Sequence, residues 1–152
     1  MSIAIRYKGI YHDRLDAPFV GSLISAIGCH HDCPGCFHDN LKDGDYLVST
    51  AEEIIKEIED YKFSEGIILG GLEWTEQYDE LLELLHCATI SGLKVILYTH
   101  YDDEELRVKF PEIYRYKGIY IKYGEYQRGN HTPGYSSYGV PLASDNQYIE
   151  QI

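Results

Sequence analysis

The sequence has no long apolar run. Its start, Met1-Ser2-Ile3-Ala4-Ile5-Arg6, lacks the apolar stretch of a secretory signal. Nothing in it approaches the roughly 20 apolar residues of a membrane-spanning helix. The expected compartment is the cytoplasm, with no membrane partner. Basic residues are scarce too: 13 Lys and Arg stand against 25 Asp and Glu, a formal charge of −12. That balance argues against a general affinity for nucleic acid or for an anionic surface, and it suits solubility or a basic protein partner. Repeats, low-complexity tracts and Pro/Ser-rich linkers are missing, so no domain boundary is placed. The 152 residues are enough for one domain with a real core and too few for two ordinary ones. No catalytic triad and no paired-carboxylate motif is visible, so general acid–base chemistry has no obvious carrier.

Cysteines number only four, and in a reducing compartment they read as metal or redox chemistry and not as a disulfide framework. Cys87 stands alone in a helical pattern and reads as a small buried apolar residue. The other three fall in Cys29-His30-His31-Asp32-Cys33-Pro34-Gly35-Cys36, a C-x3-C-x2-C spacing. Three close thiolates can hold three irons of a four-iron cluster and leave the fourth without a protein ligand, and an open metal position is where chemistry happens. Two other readings compete. A zinc site would be completed by His30, His31 or His38, but zinc ligands usually come as two separated pairs, and no second cysteine pair exists. A dithiol redox centre at Cys33-Pro34-Gly35-Cys36 would leave Cys29 without a use and would normally place its second cysteine in a helix. Pro34, Gly35, Asp39, Asn40 and Gly44 favour a loop instead. The cluster is the favoured reading.

The hydrophobic pattern alternates. Phe19 to Ile27 is a strand candidate that runs into Cys29. Ser49-Thr50-Ala51-Glu52 reads as a capping box, followed by Ile54, Ile55, Ile58 and Tyr61 at helical spacing. Gly66 to Leu69 is a short buried strand ending at Gly70-Gly71. Tyr78, Leu81, Leu82, Leu85 and Ala88 form a second helical stripe, stopped at Gly92. Lys94 to Thr99 is a third strand; Asp102 and Asp103 open a helix through Leu106 and Phe110 that Pro111 interrupts. Gly118 to Tyr123 is a fourth strand, and the chain beyond Gly124 is turn-rich. This order predicts an α/β fold with a mostly parallel sheet covered by helices. Ligand sites in such sheets lie at the C-terminal ends of the strands. The cysteines, Gly70-Gly71 and Thr99-His100 then share one edge. Gly-Gly allows close approach of backbone to a ligand, or is a simple tight turn. Glu73 reads either as a partner for a cation or as an exposed helix-start carboxylate; Trp74 reads as packing. The acidic residues of the helices read as solvated faces. The 15 tyrosines are read as core and interface packing.

The C-x3-C-x2-C triplet after the first strand and the Gly-Gly element after the second resemble the radical S-adenosylmethionine superfamily. The run Gly28 to Phe37 is similar to the cluster loop of the activating proteins of anaerobic (class III) ribonucleoside-triphosphate reductases. The tail Leu142-Ala143-Ser144-Asp145-Asn146-Gln147 resembles the segment that closes many of them. The likeness runs from about Asp16 to the end. It implies a single radical-SAM domain over 1–152, folded as a partial, open βα barrel, since about four strands cannot close a full one. It implies Cys29, Cys33 and Cys36 as ligands of a [4Fe-4S] cluster, and S-adenosyl-L-methionine as the second cofactor, bound by Gly35, Cys36, Phe37, Gly70, Gly71 and Glu73. No further catalytic residue is implied. Reductive cleavage would give methionine and a 5′-deoxyadenosyl radical, which would leave a glycyl radical on the large glycyl-radical subunit of the reductase. An electron donor such as flavodoxin or ferredoxin would be the other partner. Small-molecule radical enzymes of the 7-carboxy-7-deazaguanine synthase group share the cysteine spacing. The sequence departs from the pattern twice. Asp16-Ala17-Pro18-Phe19 stands where many members have Asp-Gly-Pro-Gly, and Gly70-Gly71-Leu72-Glu73 stands where Gly-Gly-Glu is usual. Either Leu72 replaces the acid, or Glu73 serves from one position later, or a backbone carbonyl at Gly70 or Gly71 meets the cofactor's amino group.

Overall fold

The computed structural model describes residues 3–15, 17–28, 45–124 and 147–152, together with the backbone of 136–137 and 140–141. Its strands are β1 (Ala4–Tyr7), β2 (Gly9–Arg14), β3 (Gly21–Ser25), β4 (Leu47–Thr50), β5 (Gly66–Gly70), β6 (Lys94–Tyr98), β7 (Tyr120–Tyr123), β8 (Ser136–Ser137), β9 (Val140–Pro141) and β10 (Tyr148–Gln151). Its helices are α1 (Ala51–Asp60), α2 (Tyr78–Ile90) and α3 (Asp103–Lys109). Short 3₁₀ turns at Trp74–Gln77 and Pro111–Arg115 precede α2 and follow α3.

Six strands form the main sheet in the order β10-β7-β6-β5-β3-β2. The four central ones, β3, β5, β6 and β7, run parallel and are the four strands expected from the hydrophobic runs. Antiparallel strands close both edges, β2 beside β3 and β10 beside β7. The architecture is therefore α/β with a mixed, mostly parallel sheet, and the described strands form an open sheet. The edge strands escaped the sequence reading for a physical reason. Gly9-Ile10-Tyr11-His12-Asp13-Arg14 and Tyr148-Ile149-Glu150-Gln151 carry few apolar side chains, because an edge strand needs only partial burial. A further ribbon, β1 paired antiparallel with β4, was missed for the same reason.

The continuous apolar runs of the central strands reflect burial on both faces. Ile67, Leu69, Val95, Leu97 and Ile121 pack on one face with Ile54, Ile55 and Ile58 of α1, Leu81, Leu84 and Leu85 of α2, and Leu106 of α3. Ile68 and Ile96 point the other way, onto Ala17, Phe19 and Ile149. Among the described residues the helices thus share one face of the sheet.

The helix ends follow from their caps. The box that starts α1 is one residue later than the spacing first suggests. Thr50, not Ser49, is the N-cap, and Glu53, not Glu52, reaches back to the Thr50 amide. The shift turns Ala51, Ile54, Ile55 and Ile58 inward together. Asp102 and Glu105 cap α3 in the same way. In α2 the buried stripe is Glu80, Leu81, Leu84, Leu85 and Ala88, so Leu84 takes the core place expected for Leu82, which is half-buried. Gly92 stops this helix with φ +76°.

Several of the tyrosines belong to the core. Tyr123 is wholly buried and Tyr114 nearly so. Their hydroxyls are 2.8 Å apart, and Tyr123 Oη donates to Glu150 Oε1 at 2.9 Å. Burial pushes the phenols of Tyr78, Tyr114, Tyr116 and Tyr123 up, and that of Tyr148 up to about 12. Tyr126 lies outside the described residues. No helix among those residues is long and apolar enough to cross a membrane.

Candidate functional site

Because β3, β5 and β6 are parallel neighbours, their C-terminal ends lie along one edge of the sheet. β3 ends at Ser25 and leads through Ala26-Ile27-Gly28 to Cys29. β5 ends at Gly70 and turns through Gly71 and Leu72 into Glu73. β6 ends at Tyr98 and passes into Thr99 and His100. The edge expected to carry the site therefore exists, and its three strand ends are joined by specific bonds.

The first join is backbone to backbone. Ala26 N donates to Gly70 O at 3.0 Å, and Glu73 N donates to Gly28 O at 3.1 Å. The residue that precedes Cys29 is thereby tied to the residue that follows the glycine turn. Gly71 itself lies at φ +79°, where a side chain is strained. A Cβ there would also sit 2.1 Å from Ser25 Oγ and 3.0 Å from Ser25 Cα. The turn can seat against β3 only because residue 71 has no side chain. This close approach is between two stretches of backbone within the protein, which adds a packing requirement to the ligand-facing one expected for the pair.

Glu73 is the second join. It is 4 % exposed, so the exposed helix-start carboxylate considered for it is not what the fold makes. Its Oε2 accepts from Thr75 Oγ1 at 2.7 Å and from Thr99 Oγ1 at 3.1 Å. Its Oε1 accepts from His100 N at 2.9 Å and lies 3.6 Å from His100 Nε2. A buried carboxylate is tolerable only when hydrogen bonds replace its lost water, and these partners supply them. Leu72 is buried at 7 % exposure. Trp74 packs as expected, fully buried, with Nε1 donating to Ile24 O at 3.0 Å.

A third set of bonds was not legible. Gln77 Oε1 accepts from Ile27 N at 2.9 Å, while Gln77 Nε2 donates to Arg6 O at 2.8 Å. Glu80 Oε1 accepts from Arg6 N at 2.6 Å, and its Oε2 takes the Arg6 guanidinium at 2.6 Å. This pairing raises the already high Arg6 pKa, mainly through the Glu80 hydrogen bond. The start of α2 thus fixes β1 and the approach to Cys29 together. Glu80 is not one of the solvated acids expected of the helices: it sits four residues before Leu84 and eight before Ala88, on the buried stripe. That spacing was the available signal.

Cys87 is only partly buried, and not the enclosed apolar residue expected. Burial and the neighbouring Glu52 and Glu83 carboxylates push its thiol up. It lies on α2, away from the strand-end edge, with its Sγ 4.0 Å from Glu83 Oε1.

Cys29, Cys33, Cys36, Gly35 and Phe37 lie outside the described residues, as do His30, His31, His38 and the tail segment 142–146. Among the site candidates, Gly70, Gly71 and Glu73 are described, and they meet at the edge where the chain departs toward Cys29. The donor set of the triplet, three cysteine sulfurs, suits iron of a cluster. No curated protein matches the chain. The family model described as a 4Fe-4S single cluster domain matches residues 20–149 of the 152. This span takes in the cysteine triplet, the glycine turn and all four central strands, and the chain belongs to the 4Fe-4S single cluster domain family.

Proposed function

We propose that the protein is a radical S-adenosylmethionine activase. In this reading 1–152 is a single radical-SAM domain, an open partial βα barrel acting in the reducing cytoplasm. It generates a glycyl radical on a large partner subunit, in the first instance that of an anaerobic ribonucleotide reductase. The observation that carries the reading is the hydrogen-bonded meeting of the glycine turn with the strand end that precedes the cysteine triplet, Glu73 N to Gly28 O and Ala26 N to Gly70 O. Membership in a single-cluster iron–sulfur family supports it. So does the resemblance of the Gly28 to Phe37 run to the activator loop.

Cys29, Cys33 and Cys36 would hold the cluster as thiolates, leaving one iron for the amino and carboxylate groups of S-adenosylmethionine. When bound and reduced, the cluster supplies the electron that splits the carbon–sulfur bond of this cofactor. The chain's own work is placement. Gly71 keeps the turn flush against Ser25. Gln77 holds the Ile27 amide, so the strand enters the cysteine loop in a fixed direction. Gly35, Cys36 and Phe37 would lie along the adenine, and Gly70 and Gly71 along the methionine end. The described strands leave the sheet open, which suits a site that must admit a glycine-bearing loop of another protein. The electron would come from a small flavodoxin- or ferredoxin-like donor.

Anaerobic reconstitution tests the reading. The loaded protein should hold about four irons, cleave S-adenosylmethionine once reduced, and raise a glycyl radical signal in electron paramagnetic resonance on a candidate reductase subunit. Cys29→Ala should lose all three properties. A colourless, zinc-containing protein, or dithiol activity that survives Cys29→Ala, would refute it. Cleavage without radical transfer to any glycyl-radical subunit would assign it to the small-molecule radical enzymes.

A further inference from the structure

Glu73 is the acid nearest in sequence to the glycine turn, and it stands one residue later than the resemblance leads one to expect. What its carboxylate does in this fold is decided by capacity. A carboxylate offers two oxygens with about four lone-pair sites. Oε2 is used by the hydroxyls of Thr75 and Thr99, at 2.7 and 3.1 Å, with Thr75 N at 3.4 Å besides. Oε1 is used by His100 N at 2.9 Å and faces His100 Nε2 at 3.6 Å. The donors come from two segments, the 3₁₀ turn after β5 and the residues after β6. Thr75 and Thr99 are themselves buried, at 3 % and 4 % exposure. Oε1 has only one bonded donor, but the His100 ring, 12 % exposed, stands over its remaining side, so a cationic group reaching this carboxylate would have to push that ring or one of the bonded donors aside in a dry site.

We propose that Glu73 is a positioning residue: its carboxylate clamps the Thr99–His100 end of β6 to the glycine turn, and is not the contact for a cationic group of the ligand. This rests on the radical S-adenosylmethionine reading. With the Glu73 amide bonded to Gly28, one residue joins three strand ends, those of β3, β5 and β6. The backbone of the glycine turn then holds its place because the side chain two residues on is anchored across the sheet edge. The imidazole of His100 is set against the same carboxylate and against the ring of Tyr101, centroid to centroid 4.1 Å. The ring is 12 % exposed.

The test compares Glu73→Ala with Glu73→Gln in anaerobically reconstituted protein. Two readouts are needed: amide hydrogen exchange at His100 and Tyr101, and the equilibrium affinity for S-adenosylmethionine. A glutamine can accept from His100 N through its oxygen and donate to the threonine hydroxyls, so it rebuilds the clamp without the charge. Glu73→Ala should speed exchange at His100 by about tenfold or more and weaken binding by about tenfold. Glu73→Gln should rescue both to within about threefold of the parent. The proposal is overturned if Glu73→Gln restores slow exchange yet binds as poorly as Glu73→Ala, because the charge would then be what the ligand needs. It is overturned equally if exchange at His100 is unmoved in Glu73→Ala. Should Glu73→Ala fail to fold, Thr99→Val removes one donor and should speed His100 exchange about threefold; no change there overturns the clamp. If the parent itself binds no S-adenosylmethionine, the functional reading falls, while the exchange comparison still decides whether Glu73 is a clamp.

Discussion

The seating of the glycine turn on β3 gives the sharpest prediction. Gly71 and Gly92 both adopt left-handed backbone, φ +79° and +76°. They differ in surroundings. A Cβ at Gly92 meets nothing within 4 Å, whereas at Gly71 it falls 2.1 Å from Ser25 Oγ and 2.7 Å from Ser25 Cβ. Gly92→Ala therefore carries only the left-handed penalty of about 1–2 kcal/mol, partly offset by the stiffer unfolded chain, about 0.4–1 kcal/mol. Gly71→Ala carries the same conformational balance plus overpacking against β3, typically about 1–3 kcal/mol. The Ser25 hydroxyl can rotate aside, but the contact with its Cα cannot be relieved without moving strand or turn. At about 2–4 °C per kcal/mol for a domain of this size, Gly92→Ala should lower the melting temperature by at most about 6 °C and Gly71→Ala by roughly 2–18 °C, always more than Gly92→Ala. Circular dichroism melts of metal-free, reduced protein measure both, and urea titrations give the free energies directly. Equal losses in the two variants would refute the claim that residue 71 is fixed by its approach to Ser25. A separate consequence concerns the ligand. Any relaxation that accommodates the new methyl must shift the turn away from Ser25; on the function proposed above, Gly71→Ala should then also weaken S-adenosylmethionine binding, and Gly92→Ala should not.

Glu80→Ala removes the acceptor of the Arg6 amide and of part of the Gln77 side chain. The exposed half of the Arg6 ion pair adds little, so the loss is that of an orphaned amide in a part-buried site, about 1–3 kcal/mol, measurable in urea titrations; no change would show that water replaces the carboxylate. The tyrosines predict alkaline lability. Tyr78, Tyr114, Tyr116, Tyr123 and Tyr148 all have phenols raised by burial above the ordinary 10.0. The folded state therefore keeps protons that the unfolded chain sheds once the pH passes 10, and these groups make stability fall as the pH climbs from there through 12 and beyond. Their tyrosinate absorbance should appear together with the loss of far-ultraviolet ellipticity. Ionisation of all five in a still-native protein would refute it.

What could be read in the sequence followed from periodicity and punctuation. The four central strands were visible because burial on both faces makes their apolar runs continuous, as in Ile67-Ile68-Leu69 and Val95-Ile96-Leu97. Helix α2 was visible through its stripe and its glycine stop. The strand-end edge follows from the alternation of strands and helices alone, independent of any motif. The edge strands were hidden, since a strand such as Gly9–Arg14 with one face wet carries too few apolar positions to stand out. The network of Gln77, Glu80 and Arg6 was hidden for another reason. Polar residues are assigned to the surface by default, and only their place on a buried stripe says otherwise. Glu73 stands beside the glycine turn in the sequence, but its partners Thr99 and His100 are adjacent to it only in space.

Every described strand of the main sheet lies outside the stretch between Gly28 and Leu47. At one end that stretch is moored by the Glu73 amide on the Gly28 carbonyl, and at the other by the pairing of Leu47–Thr50 with Ala4–Tyr7. A span whose two ends are already fixed has paid most of its closure entropy before any ligand arrives. The described sheet and its helices should therefore fold whether or not metal is present. The two ends of this stretch are thus placed by residues that lie outside it, Glu73 at one and the Ala4–Tyr7 strand at the other.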